Sequence, residues 1–344
     1  MPLKSFASDN YSGVHPQILK ALMEVNNHHA PAYGADAITE AAILKLKEHF
    51  GQEREIFFVF NGTAANVLGL ASVTESYNSI ICADSSHLYL DECGAPEFFT
   101  RAKLTTIKTQ DGKLNPDLVS PYLIGFNNQH NSQPKVISIA NSTEWGTVYK
   151  PDEIQALADL AHKYDMLLHL DGARLANAAA SLDLSLSEIS FDLGVDLLSF
   201  GGTKNGLLLG EAIIFKNSSL AEGFKYRRKQ GMQLASKMRF ISAQFLELLS
   251  DNLFLKNAQQ ANKMAKLLAE KIENIPNLEI VQKVEANGVF VKISPSLATK
   301  LLTKHSFYMW NEAESIARWM CSFDTEEADV EDFVRDILTG RQSL

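Results

Sequence analysis

The chain has 344 residues, of which 46% are hydrophobic and 21% charged, and its formal net charge at pH 7 is −9. This is the composition of an ordinary globular protein, and its length predicts one large domain with a smaller one attached. The short basic run at 225–229 is too isolated to indicate a nucleic acid partner, and no apolar run approaches the length of a membrane span.

The cysteines and the N-terminal residues indicate the compartment. Cys82, Cys93 and Cys321 are odd in number and scattered, without the spacing of metal ligands. This favours reduced thiols and no metal site. Asp9 and His15 lie where a signal peptide would need an apolar core. We therefore expect a cytoplasmic protein.

The first two thirds of the chain are predicted to alternate helices and strands. Helical periodicity or a helix-opening residue predicts helices at 16–26, at 36–50, from about 63, near 89 and at 151–164. Short apolar runs predict strands at 56–60, 79–83, 104–107, 136–139, 166–171 and 195–200. A run at 209–215 is predicted to be an edge or antiparallel strand. Such alternation is typical of an α/β sheet with helices on both faces.

Beyond about residue 217 the pattern changes to a mostly helical stretch that reaches about residue 274. Apolar runs and a final helix then predict a small α+β domain, with elements at 278–281, 289–293, 316–320 and from about 326. We place the division between a large domain, 1–245, and a small C-terminal domain, 246–344.

Two short segments place polar side chains directly after buried strands. Asp171 lies in His-Leu-Asp-Gly-Ala-Arg at 169–174, and Lys204 lies in Gly-Gly-Thr-Lys-Asn-Gly at 201–206. Open α/β sheets bind ligands at the carboxyl ends of their strands. An Asp and a Lys delivered there suit pyridoxal 5′-phosphate (PLP), because the lysine can form a Schiff base while the aspartate keeps the pyridine nitrogen protonated.

Each of these segments also has a simpler interpretation. Gly-Gly-Thr-Lys taken alone is more often an exposed turn with a solvated lysine, and Asp-Gly is more often a turn. The order of the two segments and the strand before each favour the cofactor site.

Asn61-Gly62-Thr63 follows a predicted strand and opens a helix, where backbone N–H groups bind phosphate and glycine permits close approach. The Thr63 hydroxyl can add to such a site, although Gly and Thr are also common in turns and caps. Since the segment lacks the lysine of a nucleotide-binding loop, a single phosphate fits better than a nucleotide.

His87 follows the next strand, where an imidazole can stack on a flat ring, relay a proton, or simply cap a surface helix. The neighbouring Asp91 and Glu92 could belong to a solvated helix face, or one of them could orient another side chain.

Three arginines are candidates for binding anionic groups. Arg174 follows Asp171 by three residues, and Arg318 lies in a predicted C-terminal strand. A guanidinium group can hold the carboxylate of an amino acid with two parallel hydrogen bonds. Arg239 could neutralise a phosphate. Each arginine could equally belong to a charged surface.

These segments resemble those of the L-threonine aldolases, in the β-eliminating lyase branch of the fold-type-I PLP-dependent enzymes. Ala-Ser-Asp-Asn at 7–10 and Ala-Tyr-Gly at 32–34 are similar to two N-terminal motifs of that family, and 83–87 resembles its segment with a ring-stacking histidine. The segment 169–174 is the most specific match. The Lys204 loop is also similar to the family's Schiff-base loop.

The resemblance runs in the right order from about residue 5 to 338. It implies a fold-type-I PLP-transferase-like large domain with a mostly parallel sheet, and a smaller α+β C-terminal domain. One position of the Lys204 loop differs, because Thr203 stands where the family often has Ser.

The resemblance also implies cofactor-binding roles. Lys204 would be the Schiff-base lysine, Asp171 would pair with the pyridinium nitrogen, and His87 would stack on the cofactor ring. Gly62 and Thr63 would bind its phosphate.

Other roles implied by the resemblance concern the substrate and a partner chain. Ser8, Arg174 and Arg318 would bind the substrate carboxylate. Arg239 would reach the phosphate, and Tyr33 would line the site, from the neighbouring subunit. The family builds its sites at a dimer interface and is commonly tetrameric, so we expect a homo-oligomer, a dimer of dimers.

The sequence departs from the family pattern in two places. Many members carry a His in the loop that reads Asn-Ser-Thr-Glu-Trp-Gly at 141–146, where Glu144 takes its place. That His is associated with the β-substituent of the substrate, so its absence affects side-chain preference and handling of the β-hydroxyl. The segment 227–240 also differs from the better-known glycine-rich version, which bears on Arg239.

The implied reaction is cleavage of L-threonine, L-allo-threonine and related β-hydroxy-α-amino acids to glycine and an aldehyde, with His87, directly or through a water, as the candidate base. A β-eliminating lyase, a racemase or an aminotransferase on the same scaffold is the alternative within PLP chemistry. From another class, a PLP-fold protein that binds amino acids without turnover is also considered.

Overall fold

The computed structural model describes residues 4–342, and the outermost ends of the two predicted domains, 1–3 and 343–344, lie outside the described residues. The strands of the larger sheet are β1 (Glu55–Val59), β2 (Asn78–Ala83), β3 (Lys103–Ile107), β4 (Gln133–Ala140), β5 (Leu167–Gly172), β6 (Leu197–Gly201) and β7 (Glu211–Phe215). Those of the smaller sheet are β8 (Glu279–Ile280), β9 (Gly288–Lys292), β10 (Tyr308–Asn311) and β11 (Ile316–Met320).

Helices cover the sheets and connect their strands. In chain order they are α1 (Pro16–Glu24), α2 (Ala37–Phe50), α3 (Gly62–Val73), α4 (His87–Leu90), α5 (Ala95–Thr100), α6 (Pro116–Val119), α7 (Pro151–Lys163), α8 (Leu175–Leu182), α9 (Phe224–Gln230), α10 (Arg239–Leu249), α11 (Leu253–Ile272), α12 (Pro295–Leu301) and α13 (Glu327–Gln342). Within residues 4–342, no helix combines the length and apolarity needed to cross a membrane.

Local capping explains why the predicted helices begin where they do. The Asp36 side chain accepts the Thr39 N–H at 2.8 Å at the start of α2, and the Asn61 side chain accepts the Ala64 N–H at 2.9 Å at the start of α3. Pro151 opens α7, where its missing N–H costs no hydrogen bond. The predicted positions of these three helices are confirmed.

The long helical stretch is divided in two places that the sequence pattern does not predict. α9 ends before Gly231, where a Cβ would lie only 2.6 Å from Leu68 Cδ1. Asp251 and Asn252 adopt left-handed backbone, with φ of 48° and 54°, and separate α10 from α11. Helix α12 and strand β10 were also not predicted.

The larger sheet has the strand order β1-β7-β6-β5-β4-β2-β3. β7 is antiparallel to both of its neighbours, and β2 to β6 pair in parallel wherever they are adjacent. The prediction of an antiparallel strand at 209–215 is confirmed, but its edge alternative is wrong. All five side chains of β7 are buried between β1 and β6, since the strand has helices on both faces.

The α/β class with a mostly parallel sheet is therefore confirmed. Because only β7 runs the other way, the carboxyl ends of β1, β2, β4, β5 and β6 all lie along one edge of the sheet.

Helix α11 contributes to two apolar cores, one with each half of its length. Leu253, Phe254 and Ala258 pack in the core of the larger sheet, whereas Met264 and Leu268 pack against the smaller sheet. The N-terminal segment packs with the smaller sheet, because Phe6 lies in the core of that sheet and its ring stacks on the Phe333 ring with the centroids 4.5 Å apart. The division at 245/246 stays a prediction.

Candidate active site

The polar side chains predicted from the sequence meet at the carboxyl edge of the larger sheet. Lys204 lies in a 3-10 turn directly after β6, and Asp171 lies at the end of β5 beside it. Gly201 permits this approach, because a Cβ there would lie 2.6 Å from the Ala173 backbone. The Lys204 turn thus packs directly on the loop that follows Asp171.

Lys204 presents a free amine. Within residues 4–342, its Nζ has no hydrogen-bond or ion-pair partner. Burial and the charge of Arg174 lower its pKa, while the carboxylates of Asp9 and Asp171 partly offset the shift. A desolvated lysine with a lowered pKa is a stronger nucleophile near neutral pH than a solvated one.

Asp171 is held in its ionised form. Burial opposes ionisation, but the charge of His87, the Ala173 N–H and the charge of Lys204 together lower its pKa. The Ala173 N–H donates to Oδ1 at 2.9 Å, and Asn66 Nδ2 donates to Oδ2 at 2.7 Å. Such a carboxylate can keep a neighbouring ring nitrogen protonated.

His87 belongs to a hydrogen-bond network that reaches Asp171. Its Nδ1 lies 3.0 Å from Glu92 Oε1, and Asn66 Nδ2 donates both to that oxygen at 3.0 Å and to Asp171. The bond to Glu92 raises the pKa of His87, whereas burial raises the pKa of Glu92. Of the two interpretations of the acidic pair, Glu92 orients the histidine, while Asp91 is exposed.

One side chain of this network, Asn66, was not assigned a role from the sequence. Asn66 lies inside α3, where nothing local distinguishes it from other buried helix residues. Its Oδ1 atom and the Oε2 atom of Glu92 are buried and without a partner. A buried amide between two carboxylates is a constraint that only the fold reveals.

Arg174 is fixed by Asp9, a residue whose role the sequence did not reveal. Its Nε and Nη2 donate to the two Asp9 carboxylate oxygens at 2.7 and 2.8 Å, in the bidentate geometry that binds carboxylates well. Burial opposes ionisation of Asp9, yet the Arg174 charge lowers its pKa to about 2. Because this pKa is lowered, the stabilisation by the pair is complete above the usual pKa of Asp and is lost as the pH falls through about 2.

The segment around Asp9 brings the two predicted carboxylate-binding arginines together. Arg318, on β11, donates from Nη2 to the Ala7 carbonyl at 3.3 Å, and Ser8 lies between Ala7 and Asp9. The Arg318 guanidinium lies over the Tyr308 and Trp310 rings, at 5.6 and 5.0 Å from their centroids. Its Nε is buried without a partner, and burial lowers its pKa to about 10. A cation in this state can bind an anionic ligand.

The first turn of α3 offers unoccupied donors. Within the described part of the chain, the Gly62 and Thr63 N–H groups have no acceptor, whereas the next N–H is bonded to Asn61. A Cβ built on Gly62 would meet nothing within 4 Å, so the space above this turn is open. Free N–H groups at a helix N-terminus form a phosphate site.

The remaining two predicted residues lie apart from this group. Arg239 donates to the His28 carbonyl at 3.3 Å, and Tyr33 is 54% exposed with the Lys229 amine 5.2 Å from its ring centroid. Among residues 4–342, neither contacts Lys204. Within one chain the structure therefore does not bring them into the site.

Glu144 lies on the loop after β4, between the strands that carry His87 and Asp171. Its Oε1 accepts the backbone N–H of His87 at 2.8 Å. Burial raises its pKa to about 7.

These residues fit the cofactor expected from the sequence. A free lysine amine, an ionised buried carboxylate, an oriented imidazole and an open helix N-terminus correspond to the aldehyde, the pyridine nitrogen, the ring face and the phosphate of PLP. Lys204, Asp171, His87, Gly62 and Thr63 are the residues that would hold this group.

Comparisons with known proteins show the family of the chain. Residues 5–296 match the family model described as beta-eliminating lyase. The chain is 44% identical over 335 residues to the low specificity L-threonine aldolase of Pseudomonas sp. (strain NCIMB 10558), and 45% identical over 336 residues to that of Pseudomonas aeruginosa, with 97% of each chain covered in both cases.

A solved structure, described as a threonine aldolase of Leishmania major, superposes with a TM-score of 0.92 at 28% identity, covering 97% of this chain and 98% of that one. From these matches and the arrangement of the site, the chain belongs to the beta-eliminating lyase family.

Proposed function

We propose that the chain is a PLP-dependent aldolase, which cleaves L-threonine, L-allo-threonine and related β-hydroxy-α-amino acids to glycine and an aldehyde. One observation carries this proposal: the unpartnered amine of Lys204 lies beside the ionised Asp171 at the carboxyl edge of the sheet. The names of the two Pseudomonas relatives support the same activity.

Cofactor binding follows from the site contacts. Lys204 would form the covalent link, Asp171 would pair with the pyridine nitrogen, and His87 would stack on the ring. Gly62 and Thr63 bind the phosphate through their free N–H groups. When bound, the cofactor withdraws electrons from the substrate Cα, which permits cleavage of the Cα–Cβ bond.

Substrate orientation is the task of the residues around Asp9. Arg318 has an unpartnered Nε, and Arg174 retains Nη1 because Asp9 occupies only Nε and Nη2. With the Ser8 hydroxyl, these groups hold the substrate carboxylate. A carboxylate fixed in this way would orient the substrate so that its Cα–Cβ bond can be cleaved, and such orientation supplies a large share of catalysis.

Arg318→Lys is expected to raise the KM for L-threonine about 10-fold to 100-fold, because lysine cannot reproduce charge-assisted hydrogen bonds from a planar guanidinium. Steady-state kinetics check this result. Arg335→Lys, at an exposed pair with Asp332, is the matched control and should leave KM unchanged. A normal KM in Arg318→Lys would mean that another group binds the carboxylate.

We also propose that the active unit is a homo-oligomer, a tetramer built as a dimer of dimers, in which Arg239 and Tyr33 reach the site of a neighbouring subunit. The exposure of Tyr33 and the unpartnered, buried Arg239 Nε support this arrangement. The surface nearby also exposes the apolar side chains of Leu19, Met23 and Leu208. Contiguous exposed apolar groups of this kind are typical of protein interfaces.

Co-expression of two inactive variants tests the shared site. A chain with Lys204→Ala and a chain with Arg239→Ala form mixed dimers, in which one of the two sites has both residues intact. Random pairing should then restore about a quarter of the wild-type activity. If the mixture shows only the summed activities of the separate variants, Arg239 acts within its own chain or not at all.

We place the protein in the cytoplasm. Cys82, Cys93 and Cys321 are all free thiols in the described chain, and free thiols persist in reducing compartments. The division into a large PLP-binding domain at 1–245 and a small domain at 246–344 remains part of this proposal.

A further inference from the structure

The loop after β4 delivers a carboxyl group to the centre of the site. In the sheet order β4 lies between β5 and β2, so its carboxyl end separates Asp171 from His87. The Asn141 N–H donates to the Asp171 carbonyl at 3.0 Å and fixes the start of the loop on β5. At the other side, Glu144 Oε1 accepts the His87 N–H at 2.8 Å.

The position of Glu144 has no structural explanation in terms of charge pairing. No cation of the described chain forms an ion pair with it, because the nearby Arg174 is already bound to Asp9. Burial and the Asp171 carboxylate raise its pKa to about 7, against the effect of the His87 N–H. A partly buried carboxyl group without an ion-pair partner is unfavourable for stability, and such groups are typical of functional sites.

The other candidate base is already committed to other contacts. His87 Nδ1 is bound to Glu92, which is itself fixed by Asn66. Stacking on a cofactor ring directs the face of the imidazole, and not its nitrogen lone pairs, towards the reacting atoms. Glu144 is a second side chain at this edge of the sheet that can accept a proton, and its carboxyl group contacts His87 only through the backbone N–H.

We propose that the Glu144 carboxylate accepts the proton of the substrate β-hydroxyl group. The proposal rests on the aldolase function proposed above. In this step the O–H bond breaks and its electron pair forms the second C–O bond of the aldehyde. The Cα–Cβ bond breaks and its electron pair stays with Cα, which later takes up a proton to give glycine. The Glu144 proton returns to solvent, and another donor supplies the proton that Cα takes up.

Several charged or titratable groups influence Glu144 from the surrounding elements, namely Cys82 on β2, His87 on α4, Tyr149 after β4, and Asp171 and Arg174 after β5. Burial raises the pKa of Cys82 to about 12 and raises the pKa of Tyr149 well above its usual value, while Arg174 stays charged. The bond to Glu92 raises the pKa of His87, and the pKa of Glu144 is about 7. Since the base acts when ionised, kcat/KM should rise with pH through about 7.

Glu144→Gln is the variant that tests this role, because glutamine keeps an oxygen for the His87 N–H but cannot take a proton. We expect kcat for L-threonine to fall about 10²-fold to 10³-fold, with loss of the rise in kcat/KM near pH 7. Exchange of the glycine α-proton with deuterated solvent, followed by NMR, should stay at the wild-type rate, because glycine has no β-hydroxyl. The matched control is Glu285→Gln, because Glu285 also accepts a backbone N–H near this loop, that of Val148.

The outcomes separate this proposal from the proposed function. Unchanged threonine cleavage in Glu144→Gln overturns the proposed role of Glu144. A loss of glycine exchange as large as the loss of threonine cleavage also overturns it, because Glu144 would then position the cofactor or His87. If the wild-type protein neither binds PLP nor exchanges the glycine proton, the aldolase function itself fails. Should Glu144→Gln not fold, Glu144→Asp keeps a carboxylate at a longer distance, and should lower kcat for threonine while retaining a pH-dependent rise. A Glu144→Asp protein with wild-type kcat overturns the proposal.

Discussion

Lys204→Ala is expected to abolish cleavage of L-threonine, with turnover falling by a factor on the order of 10⁴ or more. The reason is that alanine cannot form the covalent link to the cofactor, and that among residues 4–342 no other lysine has an amine beside Asp171. The absorbance of covalently bound PLP should vanish at the same time. Acetaldehyde release and the visible absorbance spectrum measure the two effects.

A control distinguishes loss of chemistry from loss of folding. Lys263→Ala changes an exposed residue of α11 and should keep both the spectrum and the activity. Circular dichroism should show that Lys204→Ala is folded, because the Lys204 amine has no partner whose loss would destabilise the chain. A yellow and active Lys204→Ala protein would rule out the assignment.

Asp171→Asn is expected to have the second largest effect, a loss of activity of about 10²-fold or more together with weaker retention of PLP. Asparagine is nearly isosteric and can still accept the Ala173 N–H, but its NH2 group cannot accept from Asn66 Nδ2, so the change removes the negative charge and one hydrogen bond. Without that charge the pyridine nitrogen loses its proton and withdraws electrons from Cα less strongly. Kinetics and a cofactor dialysis experiment measure the two consequences.

The exposed Asp117 provides the matched control, since Asp117→Asn should leave both quantities unchanged. Because the pKa of Asp171 is lowered, its contribution should also be constant across the neutral pH range. Wild-type kinetics in Asp171→Asn would mean that a different carboxylate serves the cofactor. Asp9 is poorly suited to that role, because both of its oxygens are bound to Arg174.

The residues of the candidate site that lie at the ends of strands were predictable from the sequence. Asp171, Lys204 and Gly62 each come directly after an apolar run, and parallel strands bring such positions to one edge whatever the details of packing. The place of β7 was not predictable in the same way. Its position between β1 and β6 depends on pairing between segments far apart in the chain, and periodicity describes only the local segment.

The sequence offered Glu92 as a group that could orient another side chain, but it did not reveal Asn66 or the pairing of Asp9 with Arg174. Asn66 and Glu92 are 26 residues apart, and only the packing of α3 against the chain that follows α4 brings them together. Asp9 lies 165 residues from its partner Arg174. No pattern within a short window carries such information, although the resemblance at 7–10 indicated that this segment is near the site.

Glu144 shows what a departure from a family pattern can mean in physical terms. A glutamate at this place keeps a group that titrates near neutral pH, because burial raises its pKa into the range in which a histidine normally titrates. The residue type differs, but the ability to accept a proton at pH 7 is retained.

The absorbance spectrum of the purified protein with PLP, followed by addition of L-threonine and assay of the products, tests the central claim most directly. We expect a visible band from cofactor bound at Lys204, and then release of acetaldehyde and glycine in equal amounts. A protein without the band would contradict the cofactor site. A band followed by pyruvate or ammonia instead of glycine and acetaldehyde would keep the cofactor but contradict the proposed aldol cleavage.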